Sequence, residues 1–527
     1  MICNLTQIET NKTTFEKLII KNIEFYWKGF IFIPGLKDGK ESLEYFINNY
    51  PNYEENIDKL YGSYILIIKD SRLDQTISFS DNSGFMKVYY SKETASDSFL
   101  TLSKYINASL ENLDIQGIAE FIRMGYCFDK TFVSGLSILN KRFYIKWINN
   151  SMSILTKKLS VISEKGTDFY SYFEKLSKTL EGKAVLCDLT GGTDSRMLVS
   201  LMEHFNLEYV VGLSGRKDFI DYIKCEEISD ILKKKPITFE YHEKFETDMR
   251  EKLFIDSDGQ YPMLEIYRNY CYDKNLKNKE FDIRLTGGNG ELFKSEAWPK
   301  PYWLFSKKMI RPLWGKNSKR FKVLSIGLTN VMQAEIEKVN EKIADIKLQL
   351  ELNNATETLD NFLYEIVMFY KASNFNIIAN NVGLKQYSPL LEYDIARVGF
   401  NLKRSRRTAV RFHKKIITET CPKIAKVKTA KNYSCYNNFF YILHDYLVDI
   451  KTFSKHIANR IFKSTQLLVT AGATGDKLYL SAKENCSEIE TLLKKHNIID
   501  NNFKLSDANN IMFDRLLTIG MFLKHTQ

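Results

Sequence analysis

The run AVLCDLTGGTDSRMLVSLM, residues 184–202, passes from a strand-like apolar stretch through two glycines and an acid into an apolar stretch of helical spacing. The turn from Leu189 through Thr190, Gly191, Gly192, Thr193 and Asp194 to Ser195 lies where that helix begins. Unpaired amide groups and the positive end of the helix dipole therefore face whatever occupies it. Gly191 and Gly192 carry no Cβ, which lets backbone N–H groups approach an anion closely. Ser195 adds a hydroxyl donor. Asp194 opposes a phosphate unless a magnesium ion stands between them, with the carboxylate as a hard oxygen ligand. The spacing fits neither the Walker GxxxxGK[ST] loop nor the dinucleotide GxGxxG loop.

Such a turn needs a parallel strand to carry it, because ligands of open parallel sheets bind beyond the carboxyl ends of the strands. The sequence after about residue 165 supplies the pattern. Helical periodicity in YSYFEKLSKTLEG leads to the strand KAVLCDL, the helix SRMLVSLMEHF, the strand LEYVVGLSG, the helix YIKCEEISDILKKK and the strand ITFEYH. Strands alternating with helices of this length predict an α/β fold with a doubly wound parallel sheet. A further strand, FDIRLTGGNGELF, ends in a second glycine-rich turn, Thr286 to Gly290 with Gly287 and Gly288 inside it, and sets Glu291 at the mouth of the sheet. From about residue 300 the chain reads as helical, with amphipathic runs such as VMQAEIEKVNEKIADIKLQLEL; that run covers only about three heptads, so packing within the domain is expected rather than a coiled coil.

Residues 1–155 have another texture. FYWKGFIFI, YGSYILIIKD, QTISFSD, MKVYYSK and RFYIKWINNSMSILTKK are short β-like runs separated by turn signals, the pattern of hairpins and antiparallel sheets. At 527 residues the chain is too long for one ordinary core, and the expected division is 1–155 and 165–527. Lysine and arginine exceed aspartate and glutamate by 75 − 64 = 11. That excess suits an anionic ligand and is too mild to indicate nucleic acid by itself. Eight scattered cysteines without a CxxC pair argue against zinc or a redox centre and for a reducing compartment. Seven histidines without an HExxH cluster give a zinc hydrolase no support. No basic leader precedes an apolar core, and no apolar run approaches the ~18 residues of a membrane helix. A cytoplasmic chain without a membrane partner is expected; a homodimer is left open.

The turn TGGTDS resembles the pyrophosphate loop, SGGxDS, of the PP-loop ATP pyrophosphatases, with Thr190 standing for the first serine. The resemblance implies that ATP is split between its α and β phosphates and that Mg2+ accompanies the departing pyrophosphate. It would place the backbone around Gly212 and Leu213, in VVGLSG, against adenine. Asp194 and Glu291 would then hold the one magnesium ion. Together with GGNGELF, which is similar to a GxGxDELF loop about 95 residues later, the pattern resembles the asparagine synthetase family, whose relatives include β-lactam synthetases and lasso-peptide cyclases. YSPLLEYDIARVGFNL resembles the family's R-x-PFLD stretch, although Lys385 and Tyr387 fall where Glu and Arg are expected. RFHKKIITETCPKIAKVK resembles its lysine-bearing segment; on this match Lys428 stabilises charge developing in the reaction, Lys426 takes the arginine position, and Lys431 is an alternative to Lys428. In the first half, LYGSYILIIKD, FSDNSGFMKVYY and KTFVSGLSIL are similar to landmarks of the family's glutaminase domain, which implies an Ntn-type α-β-β-α sandwich. Glutaminases of this type use a first-residue cysteine with its own amine as base. Here the sequence reads Met1-Ile2-Cys3, so the fold is expected without glutamine hydrolysis. The resemblance thus implies an AMP- and pyrophosphate-forming amide ligase that adenylates a carboxylate and transfers it to ammonia or an amine. Two other readings stay open: a degenerate ATP-binding or partner-binding subunit, and an RNA-modifying ATP pyrophosphatase using the basic run KRSRRTAVRFHKK, 403–415.

Overall fold

The computed structural model describes residues 2–3, 8–9, 15–149, 151–239, 245, 247–277, 280–288, 290–294, 326–352, 355–430, 432–461 and 476–527. Lys431, the alternative to Lys428, lies outside the described residues.

The fold is mixed α/β, with two antiparallel sheets built from the first 156 residues and one parallel sheet built later. The larger antiparallel sheet has six strands in the order Ser151–Thr156, Phe143–Ile148, Gln75–Ser80, Tyr61–Asp70, Ile23–Phe32 and Glu16–Ile20. Its centre is the ten-residue pairing of Ile23–Phe32 with Tyr61–Asp70, which runs from Ile23 opposite Asp70 to Phe32 opposite Tyr61. Successive side chains of a strand point to opposite faces, and here both faces are apolar. Phe25, Trp27, Ile31, Tyr64, Leu66 and Ile68 pack with Leu43 and Phe46 of the helix Lys40–Asn49. Phe30, Phe32, Ile65 and Ile67 turn the other way, into a core that also holds Tyr89, Ala95 and Ile138 of the smaller antiparallel sheet and Ile118, Phe121 and Ile122 of the helix Ile115–Met124. Cys3 sits in a strand opposite Ala95.

The parallel sheet has the order Ile237–Phe239, Val210–Ser214, Val185–Asp188, Ile283–Leu285 and Gln386–Tyr387. In chain order its strands stand third, second, first, fourth and fifth, so the direction of winding reverses between Val185–Asp188 and Ile283–Leu285. A reversal of that kind opens a crevice at the carboxyl ends of the two flanking strands. The run expected to pack rather than coil forms the helix Asn330–Gln349, and Met332, Ile336, Val339 and Ile343 bury one stripe of it. Among the described residues no helix is long and apolar enough to cross a membrane. The cysteines with described side chains, Cys127, Cys187, Cys225, Cys271, Cys421, Cys435 and Cys486, are free thiols.

The edge strand Gln386–Tyr387 joins the parallel sheet to the six-stranded sheet. The Tyr387 ring sits among Phe30, Phe32 and Phe85, with ring centroids 5.5, 5.7 and 5.5 Å away. Just beyond it, Glu392 is buried and accepts from Gly62 N–H at 3.0 Å, Ser83 Oγ at 2.8 Å, Tyr393 N–H at 2.9 Å and Tyr387 Oη at 2.6 Å. Burial pushes its carboxyl from 4.5 up to about 7, with the four donors pulling the other way. The folded chain therefore keeps a proton there that the unfolded chain has released above about pH 4.5. That contribution to stability is complete below pH 4.5 and is lost as pH rises through about 7. Glu392→Ala removes the acceptor from four buried donors and is expected to cost about 3 kcal/mol or more in urea unfolding. Glu392→Gln, which cannot ionise, should flatten the wild-type fall in stability between pH 5 and 7.5; an unchanged profile would refute the assignment.

Candidate functional site

The site is assembled from the two turns at the winding reversal. The first strand ends at Asp188, which is gripped by Arg284 of the fourth strand through Nε at 3.0 Å and Nη2 at 2.7 Å. The same guanidinium reaches Asp273, and it lies 4.4 Å from the centre of the Tyr272 ring. Leu189 N–H then donates to Gly212 O at 2.9 Å, which prolongs the pairing beside Leu213, a buried residue of the second strand. The turn closes within itself. Thr190 N–H donates to Ser195 Oγ at 3.0 Å, Gly192 N–H to Thr190 Oγ1 at 3.2 Å, and Gly191 N–H to Asp221 Oδ1 at 2.9 Å. In this conformation these amides and the Ser195 hydroxyl bond within the turn, and a carboxylate from the helix Ile220–Leu232 holds the Gly191 amide. The following helix, Asp194–His204, starts after Thr193 with no side-chain cap, so its first amides remain the anion-binding feature.

The second turn lies directly on the first. A Cβ on Gly287 would fall 2.4 Å from Ser195 Cα and N, and one on Gly290 would fall 2.5 Å from Asp194 Oδ1. Only glycine allows this approach. Gly288 is exposed, and a Cβ there meets nothing nearer than Thr286 Oγ1 at 3.5 Å. Glu291 follows in the short turn Gly290–Phe293, half-buried and next in sequence to the glycine that meets Asp194. The two carboxylates expected to share a cation do therefore come from adjoining turns.

Two residues that the sequence did not single out complete the arrangement. Lys294 Nζ forms an ion pair with Asp194 Oδ2. His413 Nε2 lies 2.7 Å from Asp194 Oδ1, out of hydrogen-bond alignment, and the fully buried imidazole has no hydrogen-bond partner at either nitrogen among the described residues. Burial alone pushes Asp194 upward, but Lys294 and His413 outweigh it and hold the carboxyl far below the usual range. Burial pushes the His413 imidazole down, with Asp194 pulling it the other way, and Lys294 is the ion-pair partner of Asp194. Phe412 and Phe293 stack beneath, with centroids 5.2 Å apart.

The third segment arrives by its backbone. Ala430 N–H donates to Gly191 O at 3.0 Å, and the buried Arg196 side chain binds Val427 O and, at 3.1 Å, Cys435 Sγ. Lys428 is thereby carried next to the first turn with its side chain exposed, and Lys426 is exposed as well. The basic run 403–415 does not form one exposed strip. Arg407 is buried against Asp360 at 2.6 Å, and His413 and Lys414 are buried too, Lys414 against Asp445.

Hard carboxylate oxygens from Asp194 and Glu291 suit Mg2+, which fills most of its shell with water and phosphate oxygens and needs only one or two protein carboxylates. Among the described residues no cluster of three or more His, Cys, Asp or Glu forms an all-protein cage. No protein-family model matches the chain, and no curated protein matches it either. The Gly287 approach gives a direct check. Gly287→Ala is expected to cost about 2 kcal/mol by overpacking and to raise amide exchange at residues 190–195. Gly288→Ala, whose Cβ would make only ordinary contacts with Thr286 Oγ1 and Ser388 Oγ, should leave both unchanged.

Proposed function

We propose that the chain is an ATP-dependent, AMP- and pyrophosphate-forming amide ligase of asparagine synthetase type, with a parallel PP-loop sheet behind the site and an Ntn-type sandwich in the first half. The observation that carries this reading is the meeting of two glycine turns at the winding reversal of a parallel sheet, with Asp194 at an uncapped helix start between them. Magnesium, when bound with ATP, would neutralise charge on the β and γ phosphates and so ease attack of a carboxylate on the α phosphorus with departure of pyrophosphate. Asp194 and Glu291 hold the dication. The amides that open the helix Asp194–His204 take the β and γ phosphates. The backbone beside Leu213 borders the adenine. Thr190, Gly191 and Gly192 form the rigid wall of the turn, and Gly287 and Gly288 line its other side. Lys428, exposed on the segment beside the turn, would stabilise negative charge as the carboxylate is adenylated. Ammonia or an amine then displaces AMP, without glutamine hydrolysis in the first half.

A second reading is favoured by one observation. Asp194 is already matched by Lys294 and His413, as expected of a binding subunit that holds nucleotide without turning it over. For the RNA-modifying reading, Arg407, His413 and Lys414 are buried and interrupt the basic run 403–415, while Lys403, Arg406, Arg411 and Lys415 stay exposed.

The deciding measurement is carboxylate-dependent pyrophosphate release from Mg-ATP, screened over an acid and amine panel with hydroxylamine as the trap. Asp194→Ala should lower release by about 10²-fold or more. Release unaffected by that substitution refutes the ligase reading, and tight ATP binding with no release over the whole panel selects the binding subunit.

A further inference from the structure

Lys294 is built into the site. Its amide donates to Glu291 O at 3.0 Å, and its carbonyl accepts from Arg407 Nε at 3.2 Å and Nη2 at 3.0 Å. Arg407 is itself buried and fixed on Asp360. The main chain at Lys294 is thus pinned, which sets where its side chain starts. Its ammonium and the Asp194 carboxylate are 18% and 19% exposed, so neither charge is free to be left bare. The buried imidazole of His413 closes the other side of Asp194, with Nε2 2.7 Å from Oδ1. A carboxylate in this position cannot stand alone at the sheet's mouth; the lysine neutralises it.

A lysine ammonium is a compact point charge on a flexible stem, which suits both a carboxylate and a phosphate oxygen. We propose that Lys294 is the resident counter-ion of Asp194 and exchanges that carboxylate for a phosphate oxygen when the magnesium-bound phosphates enter, so that it positions Asp194 before binding and holds phosphate after it. This inference rests on the ligase reading of the two turns and adds a residue that reading does not need. It carries two linked consequences. The Lys294–Asp194 pair competes with a dication for Asp194, so a metal ion alone binds poorly. The phosphates relieve that competition by giving Lys294 another partner, so metal and phosphate bind as a unit and each raises the other's affinity by the same factor.

The test uses the full chain, with Mn2+ alone followed by its free-ion resonance signal and magnesium pyrophosphate followed by calorimetry. Lys294→Met keeps the stem and deletes the charge. It is expected to bind Mn2+ alone about fivefold more tightly than wild type and magnesium pyrophosphate about tenfold more weakly, shifts of the size one partly buried charge contributes. Lys294→Arg, which keeps the charge, should stay near wild type in the first measurement, and Lys294→Gln serves if the Met variant fails to fold by circular dichroism. If wild type binds both probes and removal of the charge leaves either affinity unchanged, the exchange is refuted while the ligase reading stands. If neither probe binds to wild type or to any variant, the reading of the turns falls and the exchange falls with it.

Discussion

Two backbones touch where Gly287 faces Ser195, and most of the site's properties follow from that approach. With a Cβ position only 2.4 Å from the neighbouring main chain, the turns after the first and fourth strands cannot be separated by any side chain. The helix that begins at Asp194 is therefore fixed against the second turn, and Gly290 has to tolerate the Asp194 carboxylate against its own backbone. A carboxylate confined in this way needs charge beside it, because removing it from water without a partner costs several kcal/mol. Lys294, three residues past Glu291 and tied down by Arg407, is the group the geometry places there.

The supports beneath the turns show how such closeness is maintained. Arg284 crosses from the fourth strand to Asp188 of the first and on to Asp273 of the helix Met263–Lys277, so the strands flanking the crevice are joined by a buried ion triad as well as by their ladder. Breaking one member of such a triad leaves the others buried and uncompensated. It is thus a more stringent constraint on register than the three-residue ladder alone. On the far side, Ala430 and Arg196 fasten the 427–435 segment to the first turn through main-chain atoms, which leaves the Lys428 side chain at the surface. What the protein fixes is the frame, and what it leaves exposed is a cation.

The parts legible in the sequence were those with local signatures. Strand, glycine pair, acid and helix in TGGTDS, repeated as strand and glycines in TGGNGELF, located both turns and the two carboxylates. Alternating β and α texture gave the parallel sheet, and short hairpin-like runs gave the antiparallel half. Lys294 and His413 escaped because their role exists only across the fold. They lie 100 and 219 residues from Asp194 in sequence, and each reads locally as an ordinary basic or helical residue. The lysine after GELF, directly beyond a glycine turn, was the one available hint. Asp221 was hidden in the same way: an acid in the first turn of a helix is explained by the helix dipole alone, and nothing local says that it instead receives the Gly191 amide. The two-residue edge strand Gln386–Tyr387 is too short to show any periodicity.

That edge strand also explains why the two halves depend on each other. Tyr387 completes an aromatic cluster with Phe30 and Phe32, whose alternate neighbours Phe25, Trp27 and Ile31 build the opposite core. Glu392 then takes hydrogen bonds from Gly62 and Ser83 of the antiparallel half. Ile283–Leu285 lies between this edge strand and Val185–Asp188, so the second glycine turn leaves a strand held on one side by the first strand and on the other by a strand anchored in the antiparallel half. Disturbing Glu392 would propagate along Gln386–Tyr387 to Thr286, whose amide donates to Tyr387 O at 3.0 Å. The glycine that meets Ser195 is the next residue. The first half, whatever chemistry it has or lacks, thus contributes to the site by fixing the position of the second turn.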